Sequence, residues 1–390
     1  MERMKKTKTI GVVDFTNPDY CSASLNIIRM LENDHSVVVC SRNERRLIES
    51  FSPDTRYFRF GRNLSRSRKN NLNAFLKVTA FFLFTIKTLC ILFRYRCKIL
   101  VVFSSYGIVT ALIAKILNPK IKIFYQGHEV VSIDPKLLFT LGYFVDNILI
   151  KYVRYCDWVG QPDIKRVEYF KQLTGIKKVN LFRNFAPRYT RTNSQKDQLC
   201  ENLKRQGYTI IVHIGTIGED CYLDEVVDFV KTTNKRIAMV FAGKVGNERL
   251  KNLLENPELG DSKAKLIYRG FFLKDQMYKI LNSADIALVL YKEGTLMAEM
   301  NAGASVKAGE YIASGLPIIY PYFWNYESFY KDIGLSYDSI DQMLAAVETL
   351  TEDTALRKTF SQNSRKLFDN KLYFEKEAEI FKRRIDHCLN

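Results

Sequence analysis

Ser305-Val-Lys-Ala-Gly-Glu-Tyr-Ile-Ala-Ser-Gly-Leu-Pro317 is the stretch on which the fold turns. Ser305 suits a helix N-cap, where a side-chain oxygen takes an otherwise orphan backbone N–H. Gly315 can adopt the left-handed position that ends a helix, and Pro317 forbids continuation. A short helix is predicted between these signals, and Ile318-Ile319-Tyr320 directly after it reads as a strand. The loop before the helix, Asn301-Ala-Gly-Ala-Ser305, carries mostly small side chains, so its N–H groups are open to an incoming phosphate. The helix start at Ser305 and Val306 supplies positive potential, and Lys307 adds a mobile cation. Glu310, one turn further in, is placed to accept both hydroxyls of a ribose. These are the parts needed to hold a nucleoside diphosphate.

Outward from this stretch, short apolar runs alternate with helix-length segments, the pattern of parallel α/β layers. Strands are expected at 10–14, 37–40, 99–103 and 121–125, with weaker runs at 158–159 and 179–181. The second half repeats the theme at 210–214, 238–242, 266–269, 286–290 and 318–320. Helices are expected at 22–32, 74–93 and 107–117. Residues 184–202 are polar, contain Pro187 and lack an apolar period, so a domain boundary is placed there. The expected organisation is a first domain over 1–186, a second over 200–370 and a helix over 372–388. A length of 390 residues suits two domains.

Composition narrows the class. With 47% hydrophobic and 26% charged residues the chain is globular. Its eight cysteines form no C-x-x-C pair, which reads as reduced, scattered thiols in a cytoplasmic protein. The basic start is followed by too short an apolar run, 10–13, for a signal peptide. The net charge of +17 is uneven: between Thr55 and Gly127 there are fourteen Lys and Arg and no Asp or Glu. Such a stretch suits an anionic partner. No nucleic-acid module accompanies it, so nucleic acid is not expected. Within it, residues 74–93 are apolar, flanked by Arg66, Arg68, Lys69, Arg94 and Arg96. Three readings are open: a core helix, an interfacial helix on an anionic membrane surface, and a spanning helix. Lys77 and Lys87 count against the last, at about 2.5–3.5 kcal/mol each near a bilayer centre.

The pattern Lys307-x-x-Glu310-Tyr-x-Ala-Ser-Gly-Leu-Pro-Ile-Ile319 resembles the donor-binding segment of GT-B glycosyltransferases, in particular family 4 (group 1). The resemblance implies two Rossmann-like domains facing a cleft, with the C-terminal helix crossing back to the first. It implies a nucleotide-diphosphate sugar as donor, with Lys307 catalytic and Ser305, Val306 and Glu310 on the donor. His213-Ile-Gly215-Thr216-Ile-Gly218 is similar to the family's first strand and glycine loop, giving Gly215 and Thr216 as donor contacts. Gln126-Gly-His128-Glu129 is similar to the loop that carries a cleft-facing His, making His128 catalytic and Glu129 an acceptor contact. Arg183-Asn184-Phe-Ala-Pro187 resembles the end of the family's first domain, and Ser283-Ala-Asp285 its step into a strand.

Three departures stand out. Between Arg205 and Lys231 there is no basic residue, where the family commonly brings an Arg and a Lys to the diphosphate; Glu219, Asp220 and Cys221 stand there instead. Lys244, Arg269 and Lys307 are the candidates to replace them. Ala302 occupies the place of the first of the family's paired glutamates. The first loop, Asn17-Pro-Asp-Tyr-Cys-Ser22, lacks paired glycines, which suits a different acceptor site with Asp14, Asp19 or Tyr20 touching the acceptor. No metal and no cofactor are expected: D-x-D, G-x-x-x-x-G-K-[ST], G-x-G-x-x-G and G-x-S-x-G are all absent. Expected partners are a nucleotide sugar and a lipid-linked or polysaccharide acceptor, met at the cytoplasmic face of the membrane. Two other readings remain at this point, a nucleotide-sugar epimerase of similar build and a non-catalytic scaffold.

Overall fold

Among the described residues, thirteen strands form two sheets, each parallel throughout. The structure is a computed structural model describing residues 8–15, 21–42, 52–60, 71–131, 133, 138, 140–189, 195–272 and 274–389. Tyr20, most of its loop, and Arg62, Arg66, Arg68 and Lys69 lie outside the described residues. The chain divides into two units, Met1–Arg183 with Ala378–Asn390, and Asn184–Glu377.

The first unit comprises β1 (Thr9–Asp14), α1 (Ser22–Asp34), β2 (Ser36–Arg42), β3 (Arg56–Phe60), α2 (Asn71–Arg94), β4 (Ile99–Val102), α3 (Ser105–Leu117), β5 (Lys122–Gln126), α4 (Leu141–Tyr152), β6 (Trp158–Gln161), α5 (Ile164–Thr174) and β7 (Asn180–Leu181). Strand order is β3-β2-β1-β4-β5-β6-β7. Central strands such as Ile99–Val102 are buried on both faces, which is why they read as unbroken apolar runs. The inner face of α2 closes one side of the sheet: Phe81, Phe84 and Leu92 are buried, and the rings of Phe81 and Phe84 meet Phe15 edge-on at 5.2 and 5.1 Å. β3 was not expected, because Arg56-Tyr-Phe-Arg-Phe60 reads as part of the basic stretch. It pairs along the edge beside β2, where half-exposed aromatic and basic side chains are tolerated.

The second unit comprises α6 (Gln198–Arg205), β8 (Thr209–Ile214), α7 (Leu223–Thr232), β9 (Ile237–Ala242), α8 (Glu248–Glu255), β10 (Lys265–Tyr268), α9 (Lys274–Ser283), β11 (Ile286–Leu288), α10 (Leu296–Glu299), α11 (Val306–Ala313), β12 (Ile318–Pro321), β13 (Gly334–Tyr337), α12 (Ile340–Glu352) and α13 (Thr354–Asn370). Its sheet runs β10-β9-β8-β11-β12-β13. The order reverses between β8 and β11, and between β1 and β4 in the first unit. Ligands of open α/β sheets bind outside the carboxyl ends of the strands at such a switch point. The Ser305–Pro317 signals act as expected: the Ser305 hydroxyl accepts from Ala308 N at 3.3 Å, and Gly315 takes φ +69° after α11.

One boundary differs from the sequence reading, and the last helix crosses to the first unit as expected. Asn184–Pro187 belong to the second unit, not to the end of the first. Asn184 N donates to Gly303 O at 3.1 Å, its Nδ2 to Ala304 O at 2.9 Å, and Phe185 and Ala186 are buried in the second unit's core. The last helix, α14 (Phe374–Leu389), starts in the second unit, but from Ala378 onward it packs in the first. There Phe381 meets Phe124, Trp158 and Phe182 at 5.6, 5.3 and 5.4 Å, and Lys382 pairs with Asp34.

Candidate functional site

In the second unit the site builds from the glycine loop upward. β8 ends at Ile214, and Gly215 turns away with φ +105°, a region that favours glycine. Gly243, at φ +152° after β9, lies against it so closely that an added Cβ would run into the Gly215 carbonyl. This close approach keeps the loop low at the mouth of β8. Lys307, in the first turn of α11, lies across it: a Cβ built on Gly215 would meet Lys307 Cε at 3.4 Å.

Lys307 is held in place. Its Nζ stands 3.4 Å from His213 Nε2 and 4.6 Å from the centre of the Tyr291 ring. His213, buried at the end of β8, has Nδ1 2.9 Å from the carbonyl oxygen of Leu288. A carbonyl only accepts, so Nδ1 carries the proton and Nε2 is left to accept from the lysine. Burial, and then the Lys307 charge, push the His213 pKa well below its ordinary value, which keeps the ring neutral. Tyr291 is fixed in turn by Asn301, whose Nδ2 donates to its hydroxyl at 2.8 Å. The result is a cation seated at the switch point beside the start of α11, where orphan N–H groups of Val306 and Lys307 lie.

Other expected donor residues behave differently. Lys244 is exposed in the adjoining loop and makes no ion pair among the described residues. Thr216 is exposed. Arg269 does not join the loop: its Nη1 and Nη2 each lie 2.9 Å from a carboxylate oxygen of Asp197, the N-cap of α6. That bidentate pair engages the guanidinium inside the unit, and it holds the Asp197 carboxyl below its usual range despite burial. The acidic loop is also answered locally, since Glu219 accepts from Arg249 at 2.6 Å and from Asn247 at 2.7 Å.

Glu310, expected to accept ribose hydroxyls, is closed off from solvent. It is buried, with Oε2 accepting from the Tyr278 hydroxyl and Oε1 3.8 Å from Lys274 Nζ. That separation is attractive but too long for a hydrogen bond, so Oε1 has no hydrogen-bond donor among the described residues. Burial raises the Glu310 pKa, and the Lys274 charge opposes the rise. Tyr278, Lys274, Tyr291 and His213 were not singled out by the sequence.

In the first unit, His128 follows β5. Its ring lies 4.9 Å from that of Phe103, beyond the end of β4, and its carbonyl accepts from Arg166 Nη1 at 2.9 Å. Both ring nitrogens are enclosed and lack a partner among the described residues. Burial, assisted by the Arg166 charge, lowers its pKa to about 3. Glu129 is exposed beside it. Asp146 of α4, missed in the sequence, is half-buried; burial holds its carboxyl above the usual range, and the Glu129 charge adds to this. Asp14 is buried at the end of β1.

Residues 226–381 match the family model described as Glycosyl transferase-like. No curated protein matches the chain in sequence. Among solved structures, the chain is similar to sucrose-phosphate synthase from Thermosynechococcus elongatus, at TM-score 0.68 and 12% identity, over 98% of this chain and 99% of that one. Anabaena HepE in complex with UDP and glucose gives TM-score 0.68 and 12% identity, over 98% and 100%. WaaG, a glycosyltransferase involved in lipopolysaccharide biosynthesis, gives 0.64 and 11%, over 95% and 98%. These likenesses establish the fold: two Rossmann-like domains of the GT-B type.

Proposed function

We propose that this chain is a glycosyltransferase of the family 4 type. It moves a sugar from a nucleoside-diphosphate sugar to a hydroxyl of a lipid-linked or surface-polysaccharide acceptor, without a metal and with retention at the anomeric carbon. The observation that carries this reading is the seating of Lys307 by His213 and Tyr291 above Gly215, beside the start of α11. A fixed cation next to the first N–H groups of a helix suits the charge that builds on a departing diphosphate. The complexes that HepE forms with UDP and glucose support the donor class, and WaaG's place in lipopolysaccharide biosynthesis supports the acceptor class.

In the step envisaged, the acceptor oxygen bonds to the anomeric carbon while the bond from that carbon to phosphate oxygen breaks. The electron pair leaves with the diphosphate, and the hydroxyl proton passes to it. Lys307, Lys244 and the α11 N–H groups, including Val306, receive the charge, with Ser305 shaping the helix start. Glu310 takes ribose hydroxyls through Oε1. His128, neutral at pH 7, offers a hydrogen bond to the sugar and is not an acid. Asp14, Tyr20 and Glu129 are assigned to the acceptor.

A thermal-shift screen against UDP-, GDP-, ADP- and CMP-sugars tests the donor, because a ligand that binds the native state raises its stability. At least one should shift the transition, and nucleotide release should then depend on added acceptor extract. Conversion of the sugar without acceptor would point to an epimerase. No shift with any donor would sink the reading and leave a non-catalytic scaffold.

A further inference from the structure

The outer face of α2 is apolar, exposed and bordered by cations, and we propose that it docks on an anionic lipid surface. At about 100° per residue, Phe75, Phe82, Ile86 and Phe93 fall within about 40° of one another on the helix surface. They lie opposite the buried Phe84 and Thr88, and all four are exposed, Phe75 to 70% and Phe82 to 63%. Val78, Leu76 and Leu83 widen the stripe. A helix of a globular unit normally turns polar residues outward. Here seven large apolar side chains face solvent, several hundred Å² of apolar surface, which marks an interaction site.

The charge pattern selects the occupant. Lys87 and Arg94 run along the long edge formed by Leu76 and Leu83, and Lys77, Arg96 and Lys98 are also exposed. No acid occurs between Thr55 and Gly127. An apolar stripe edged by cations matches the boundary between acyl chains and anionic headgroups, with the rings sunk below the phosphates and the cations level with them. The stretch that carries α2 holds no acid to pair with the same cations on a second copy of the chain.

By length and composition α2 is long and apolar enough to cross a membrane. The inner face argues for lying flat instead. Crossing would pull Phe81, Phe84, Thr85, Thr88 and Leu92 out of the first unit's core and break the contact of Thr85 with Thr110, whose hydroxyls stand 3.2 Å apart.

The test is co-sedimentation of the full chain with vesicles of phosphatidylcholine alone and of phosphatidylcholine mixed with phosphatidylglycerol. The wild type should bind the mixed vesicles strongly at low salt and less as salt rises, since surface charges are screened within about 10 Å at 0.1 M. The triple variant Phe75→Ser, Phe82→Ser, Ile86→Ser should bind both kinds at least roughly tenfold more weakly. As a second variant that spares the apolar stripe, Lys87→Glu with Arg94→Glu should lose affinity for mixed vesicles only. Wild type that ignores mixed vesicles at low salt overturns the proposal. So does a triple variant that folds, by circular dichroism, and still binds like the wild type. A wild-type dimer that the triple variant dissolves, with no vesicle binding in either, would instead assign the face to a second copy.

Discussion

Two enclosed histidines near the carboxyl ends of two sheets have opposite surroundings. His213, closing β8, uses both ring nitrogens: one gives its proton to Leu288, the other meets Lys307. His128, following β5, has a partner for neither among the described residues. Both pKa values lie far below the ordinary one, and in both burial is the main cause. The shift therefore does not tell them apart. What separates them is hydrogen-bonding capacity left over. A ring whose capacity is filled by its own fold positions a neighbour. An enclosed ring with unfilled capacity bears a desolvation cost that a bound polar group would relieve. Glu310 lies between the two, with one oxygen held by Tyr278 and the other without a hydrogen-bond donor among the described residues.

That intermediate case gives the largest expected effect. Glu310→Ala should cost on the order of 2–4 kcal/mol in donor binding or transition-state stabilisation. Because the group is buried against Tyr278, it should also lower unfolding stability by roughly 1–3 kcal/mol. Donor titration and urea unfolding measure the two parts. A variant that loses stability alone would show that Oε1 is not reserved for a ligand. Next, His128→Ala should reduce turnover by roughly 10² with little change in donor affinity, as for loss of one preorganised contact. If donor affinity falls instead and turnover per bound donor is kept, His128 belongs with His213.

His213→Leu should then behave like Lys307→Ala. Both should weaken nucleoside diphosphate binding about tenfold and leave the bare nucleoside unaffected, since only the phosphates meet the cation. Equal loss for nucleoside and diphosphate would break the positioning role. The smallest effect is on pH. Both histidines have folded pKa values below the unfolded one, so the unfolded chain takes up protons that the native state refuses. Their stability contribution is full above about pH 6.5 and is lost as pH falls below it, for His128 down to about 3. Between pH 7 and pH 6 this amounts to about 0.7 kcal/mol for each histidine. His128→Phe should remove one share of that slope in unfolding midpoints measured at the two pH values.

The fold was legible where local signals agree. Ser305, Gly315 and Pro317 punctuate one helix with short-range chemistry, and buried parallel strands advertise themselves as apolar runs. Two of the four edge strands were not: β13 is a four-residue strand opening on Gly334, and β3 looks like charge. The site was half legible for a similar reason. Lys307 and Glu310 lie on one helix at readable spacing, whereas the groups that decide what they do come from far along the chain. His213 reaches Lys307 across 94 residues, Tyr278 reaches Glu310 across 32, and Asp197 takes Arg269 across 72. No periodicity reports such pairs.

The placement of α14 bears on the order in which the protein can be made. The aromatic pocket of Phe124, Trp158 and Phe182 is filled by Phe381, which is synthesised roughly 200 residues after the rest of its unit. At about 5–20 residues per second that is some 10–40 s during which the earlier segment is outside the ribosome with its pocket unfilled. The second unit is complete before that plug arrives. The portion translated first is therefore the last to be finished, and for that interval its exposed aromatic rings are a surface that chaperones or like chains can reach.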